Sequence, residues 1–410
     1  MSPYTRGGFT YLDITIIIGA GASKAFTVSP YPLLSKMLEE MFQFAKELPT
    51  SMNHKKDCER YLSKQRLYLS YAIKKALNDS VKEFETRRVK NNEIEDHFFQ
   101  THKRIQQNGY SIDKIFEELE KQDYNSSTKA HWALTHAIGF YMVQMRAMRD
   151  ANEYEDRAHI ELIRLIEKKL KSGHSVSVID FNYDCLIERI RDEYSGSSNA
   201  TFGWDVGRKR KVIKDDYSLC PSDLVRKCQF MEPLDERDFR IKAKLIKPHG
   251  DMCSFLKGNT EIYYKGGRHS QSTISIFPEK LSDITEGDTF LRSSIMPPTK
   301  SRRRHSSKFY DKESHRFRSA LKASDIFIII GWSAQGSDTF YDCVFRGCKE
   351  SFEEHKPKVF IIDKKDTTSR IKELFGSNSQ VNYLCTCGFK EESICELSRC
   401  IERAVKGKMS

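Results

Sequence analysis

A histidine ahead of a glycine (His249), an asparagine two residues before an aspartate (Asn182, Asp184) and a turn of five small residues (Gly19 to Ser23) are side chains able to do chemistry. An imidazole, which titrates near ~6.5 when unperturbed, accepts a proton at neutral pH. A carboxamide orients a water or a hydroxyl without adding charge. Small residues let backbone N–H groups approach a pyrophosphate, and a helix start behind them adds favourable partial charge. The third glycine of the usual dinucleotide turn is absent, since position 24 is Lys. Plainer readings stand beside these. Asn182 could cap a strand end, Asp184 could sit at a helix N-terminus, His249 could be a turn residue, and the glycine turn could bind nothing.

The elements that must position these residues are legible as short apolar runs. Ile14–Ile18 ends at Gly19, Val176–Phe181 at Asn182, Leu245-Ile246 at the Lys247–Asp251 turn, Ile326–Ile330 at Gly331 and Val359–Ile362 at Asp363. Runs of this kind, rich in β-branched residues, read as buried parallel strands, and a parallel sheet gathers its carboxyl ends on one rim. Between the first and second runs lie about 140 residues of helical pattern: from Leu34, over 59–87, from Ser111, over 128–149 and over 157–171. The expected fold is α/β: a Rossmann-like parallel sheet with helices on both faces and a large all-helical insertion after the first strand. Residues 1–32 and 174–410 form the nucleotide-binding domain and 33–173 the helical module. Residues 191–240 read as loop, and a short strand near Tyr383 and a helix from Glu391 close the pattern.

In this order, G-A-G-A-S (19–23), F-N-Y-D (181–184), P-H-G (248–250) and I-I-G-W-S-A-x-G-x-D (329–338) resemble the sirtuin superfamily. The set is most like the bacterial sirtuin-like NAD+ hydrolases of anti-phage defence, as is I-M-P-P-T-K (295–300). The resemblance implies that Gly19, Ala20, Gly21 and Ser23 cradle the pyrophosphate. It places Gly331, Ser333 and Asp338 on the adenosine side and makes Asp363 a ribose hydroxyl acceptor. It makes Asn182, Asp184 and His249 the catalytic residues beside the nicotinamide ribose. NAD+ would be the substrate, with no metal. Sirtuin deacylases carry a four-cysteine zinc module; here the cysteines following His249 are Cys253 and then Cys343. That favours hydrolysis over deacylation. The alternatives are a nucleotide-binding subunit without turnover and an NAD-dependent protein deacylase. By the same resemblance, activity would be gated by oligomer assembly or by a HerA-type ATPase partner.

Composition bounds the rest. The chain has 410 residues and a net charge of +11, which favours polyanions. The runs Arg208–Lys211 and Arg302–Arg304 carry much of the excess without interleaved aromatics, so nucleic acid is the lesser reading and solvated loops the leading one. Eleven scattered cysteines with no C-x-x-C, no apolar run of membrane-spanning length and no signal segment at the start predict a cytoplasmic protein with no membrane contact.

Overall fold

The computed structural model describes residues 11–23, 34–46, 55–86, 89–122, 124–150, 157–184, 186–188, 190–191, 202–206, 240–251, 254–257, 260–263, 292–293, 295–296, 308–332, 339–376, 379–385 and 388–407. The chain opens with β1 (Asp13–Ile18) and the single turn α1 (Ala20–Ser23). Seven helices follow: α2 (Leu34–Lys46), α3 (Lys55–Ala76), α4 (Lys82–Thr86), α5 (Asn91–Asn108), α6 (Ile112–Lys121), α7 (Tyr124–Asp150) and α8 (Arg157–Lys171). Next come β2 (Ser175–Asp180), a short helix α9 over 186–188 and 190–191, β3 (Phe202–Asp205) and β4 (Ile241–Ile246). A small antiparallel sheet holds β5 (Ser254–Lys257), β6 (Thr260–Tyr263) and β7 (Arg292–Ser293). The last part alternates: α10 (Lys308–Ala323), β8 (Ile326–Ile330), α11 (Thr339–Arg346), α12 (Lys349–His355), β9 (Lys358–Ile362), α13 (Thr368–Phe375), β10 (Gln380–Cys385) and α14 (Glu391–Gly407).

The main sheet has seven parallel strands in the order β10-β9-β8-β1-β2-β4-β3. This is the expected α/β architecture. Its strands are apolar on both sides because both sides are covered. Ile14, Ile16 and Ile18 of β1 and Ile326, Ile328 and Ile330 of β8 pack with α8, α9 and α14. Ile17, Phe327 and Ile329 pack on the other face with α10, α11, α12 and α13. The chain leaves β1 for β2 on one side and later adds β8 on the other, so the strand order reverses at the β1–β8 pair. That switch point is where open α/β sheets leave a crevice.

Helices α2 to α7 build a core of their own around Met41, Phe42, Tyr71, Phe98, Phe116 and Ile138. Two residues from far along the chain, Tyr183 and Ile295, belong to it. Helix α8 instead turns Leu162, Ile163 and Ile166 into the sheet's core, beside α14. Ser111 caps α6 through the Lys114 N–H, as its position before the apolar spacing predicts.

Three local features differ from the sequence reading. The charged stretch over 59–87 is two helices, because the chain turns at Asn78, which has φ +58°. Helix α5 has no counterpart in the periodicity: its buried positions include Thr101 and His102 beside Ile94, Phe98 and Ile105. Phe202–Asp205, inside the stretch read as loop, pairs in parallel with β4 as an edge strand. The basic runs Arg208–Lys211 and Arg302–Arg304 lie outside the described residues. Among the described residues, no helix is long and apolar enough to cross a membrane.

Candidate active site on the sheet rim

The glycine turn after β1 meets the turn after β8 backbone to backbone. Gly19 N–H donates to Ile330 O and Gly21 N–H to Gly331 O, both at 2.9 Å. Gly331 has φ +58°, and a Cβ there would lie 2.2 Å from Ala22 N and 2.5 Å from Gly21 C. A Cβ on Gly19 would meet Gly331 O at 2.6 Å. These three glycines are therefore demanded by close packing at the switch point. The same bonds engage two amides expected to face a pyrophosphate, those of Gly19 and Gly21; the neighbouring Ala22 N–H donates to Gly19 O. The Ala20 amide is not among these donors.

Asn182 lies in the turn after β2 and is 8 % exposed. Its Nδ2 donates to Gly19 O at 3.1 Å and to Ser23 Oγ at 2.9 Å. A carbonyl only accepts, so the amide orientation is set, and what Asn182 can offer a ligand is its Oδ1 acceptor. Ser23 Oγ in turn donates to Asp184 Oδ2 at 2.6 Å, and Asp184 Oδ1 accepts the Leu186 N–H at 3.2 Å. Ser23 and Asp184, expected at the pyrophosphate and the ribose, are thus bound to each other, and Ser23 also to Asn182.

His249 follows β4 and is 7 % exposed. Its Nδ1 lies 3.1 Å from Met296 O, while the Met296 N–H donates to His249 O at 2.7 Å. Because the carbonyl accepts, Nδ1 carries the hydrogen and the lone pair of the neutral ring is at Nε2. Tyr183 Oη donates to the same Met296 carbonyl at 3.2 Å. Aromatic rings enclose the imidazole, with centroids at 5.5 Å for Phe181, 6.0 Å for Tyr183 and 5.5 Å for Tyr341. Tyr341 Oη also donates to Pro248 O at 2.8 Å. Phe181 stacks on Trp332 with centroids 5.3 Å apart, tying the rim of β2 to that of β8.

Asp363 ends β9, where Gly331 N–H donates to Ile362 O. Its Oδ1 accepts the Lys365 N–H and its carbonyl accepts Tyr383 Oη. From β4 to β9 the rim crosses four strand spacings, ~19 Å at the usual ~4.8 Å each. Ser333 and Asp338 lie outside the described residues.

Beneath the rim sit charges that the sequence reading did not single out. Lys247, 1 % exposed, donates through Nζ to Asp180 Oδ2 at 2.8 Å and Asp184 O at 2.6 Å, with Glu188 Oε1 at 3.5 Å. Burial pushes the Asp180 carboxyl well above its ordinary value; Lys247 opposes the shift, while Asp184 and Glu188 add to it. In a sequence, a lysine after a strand reads as solvated. The available hint was its position between the strand and the P-H-G turn. Met296 acts through a backbone carbonyl, which no side-chain pattern can announce. Among the described residues, no group of three or more His, Cys, Asp or Glu is placed to hold a metal. A cleft of about 740 Å³ lies away from the rim, on the helical module, lined by Lys74, Asp79, Lys82, Glu83 and Arg104 among others.

No protein-family model and no curated protein matches the sequence. Among solved structures, the chain is similar to one described as a Sir2–p53 peptide–NAD+ complex, with 13 % identity and a TM-score of 0.34 over 97 % of this chain and 94 % of that one. An overlap that loose carries no argument about activity. The class of protein is defined by the fold itself: a parallel α/β protein with a polar rim at its switch point.

Proposed function

We propose that the chain is an NAD+ hydrolase that cleaves the nicotinamide–ribose bond to give nicotinamide and ADP-ribose. The observation that carries this reading is the convergence of Asn182, His249 and the Gly19–Ser23 turn on one rim, although 67 residues separate Asn182 from His249 and 161 separate Ser23 from Asp184. The ordered motifs that resemble the sirtuin superfamily support it. So does the length of the rim, which suits an extended dinucleotide.

The chemistry needs little. The nicotinamide of NAD+ is already cationic, so the C1′–N bond breaks with its electron pair going to the ring nitrogen and no general acid. The sugar left behind is oxocarbenium-like, as in glycoside cleavage. Water adds at C1′; His249 takes its proton at Nε2, and Asn182 Oδ1 accepts a hydrogen from the water or a ribose hydroxyl to hold it in line. Asp184 acts by holding Ser23, and Ser23 by holding Asn182.

The engaged amides of Gly19, Gly21 and Ala22 favour a second reading, a rim that binds a nucleotide without turnover. Product analysis separates the two. The purified chain with NAD+ is expected to release nicotinamide and ADP-ribose in equal amounts without added peptide. Release that requires an acylated peptide would replace hydrolysis with deacylation, and binding without release would leave the regulatory reading. Such a hydrolase must be gated in a cell, and the proposal includes control by oligomer assembly or an ATPase partner, in keeping with a role in anti-phage defence by NAD+ depletion.

A further inference from the structure

We propose that Lys247 is a positioning residue of the rim, whose ammonium holds the 180–184 turn so that Asn182 is presented to the substrate. A lysine is almost never buried without partners. Here a single Nζ binds the Asp180 carboxylate and the Asp184 carbonyl, so it ties β4 to both ends of the turn that follows β2. From there two routes reach Asn182. Through the first, Asp180 uses Oδ2 for the ammonium and Oδ1 for the Asn182 backbone N–H, at 3.0 Å. Through the second, Asp184 is fixed at its carbonyl by Lys247, while its Oδ2 takes Ser23 Oγ–H and Ser23 takes Asn182 Nδ2–H. The backbone and the side chain of Asn182 are thus both referred to one cation. The backbone of Lys247 is fixed as well, its N–H donating to Glu313 Oε2 on α10 at 3.0 Å.

Stability alone does not explain such an arrangement. Well-packed apolar side chains commonly stabilise a core as well as a buried ion pair does. What they cannot supply is direction, and a buried ammonium with two oxygen partners fixes the distance between two chain segments. That role matters because displacing a catalytic group by about 1 Å can cost roughly 100-fold in rate.

The inference deepens the hydrolase reading, and its test has one readout that depends on turnover and one that does not. Lys247→Met removes the cation and keeps the length of the stem; the double variant Asp180→Asn/Lys247→Met also neutralises the carboxylate nearest the lost ammonium and guards against misfolding. In both, kcat per folded molecule is expected to fall roughly 100-fold while KM for NAD+ stays near the wild-type value. Hydrogen exchange of the peptide covering 180–184 is expected to speed up while that of β8 is unchanged. A folded double variant with wild-type kcat and unchanged exchange at 180–184 would overturn the proposal. If the wild type itself releases no nicotinamide, the exchange result still decides the positioning role, and only the hydrolase reading fails.

Discussion

The rim and the helical module both contain networks of charged and aromatic side chains, but the two are built differently. In the helical module the ion pairs keep a partly exposed carboxylate. Arg66 pairs with Glu95 and Lys121 with Glu118, with carboxylate side chains 53 % and 34 % exposed. Pairs of that kind contribute at most about 1 kcal/mol. On the rim the bonds join residues distant in sequence, Ser23 to Asp184 and Asn182 to Gly19 among them, and every member is buried. Breaking one side of a buried pair such as Lys247–Asp180 costs about 3–5 kcal/mol, because the survivor keeps its charge without its partner. Polar groups are expensive to bury, so a protein that collects them at the open end of its sheet is holding a particular geometry there.

Two glycines at nearly the same backbone angle give the sharpest test of that contrast. Gly331 on the rim has φ +58° and Gly109 at the end of α5 has φ +59°. A Cβ on Gly109 meets nothing within 4 Å, whereas one on Gly331 would press into the backbone of Gly21 and Ala22. Gly109→Ala should therefore cost only the left-handed backbone penalty, about 1–2 kcal/mol. Gly331→Ala should exceed about 4 kcal/mol or displace the Gly19 turn. Urea denaturation of both variants measures the difference; equal losses would mean that the two turns do not pack as described.

A smaller effect separates the regions by pH. Burial raises Asp180 above its ordinary value, against Lys247 and with the help of Asp184 and Glu188. The folded rim thus holds this proton to higher pH than the unfolded chain does: this contribution is present below about pH 4 and is lost as pH rises through the higher folded value. His97 in the helical module is lowered instead, first by burial and then by Lys74, against Glu83, Glu93 and Asp96. Its contribution is present above about pH 6.5 and is lost as pH falls through the lower folded value. Denaturation midpoints across pH should show opposite slopes removed by Asp180→Asn and by His97→Gln. Identical pH profiles in wild type and both variants would contradict the assignment.

The same contrast explains what was legible in the sequence. Strands β1, β2, β8 and β9 could be read directly, because burial on both faces leaves runs dominated by Ile, Val and Phe. β3 could not: it is a four-residue edge strand containing Gly203. Helix α5 escaped because part of its buried face is Thr101 and His102. At the site, residue types pointed to Asn182 and His249, and the parallel sheet puts them on one rim. The glycines were legible as necessary, but for phosphate approach; the packing of Gly19 and Gly21 on Gly331 depends on strands that are distant in sequence. Lys247 and the Met296 carbonyl were hidden for a related reason, since burial and backbone direction belong to the folded chain.

Nicotinamide release in a single turnover by wild type, His249→Ala and Asn182→Ala is the most direct trial of the rim as a catalytic surface. The wild type should release it, and both variants should remain folded yet slower by at least about 100-fold, the usual contribution of a positioned proton acceptor. Turnover at the wild-type rate in either variant would contradict the account.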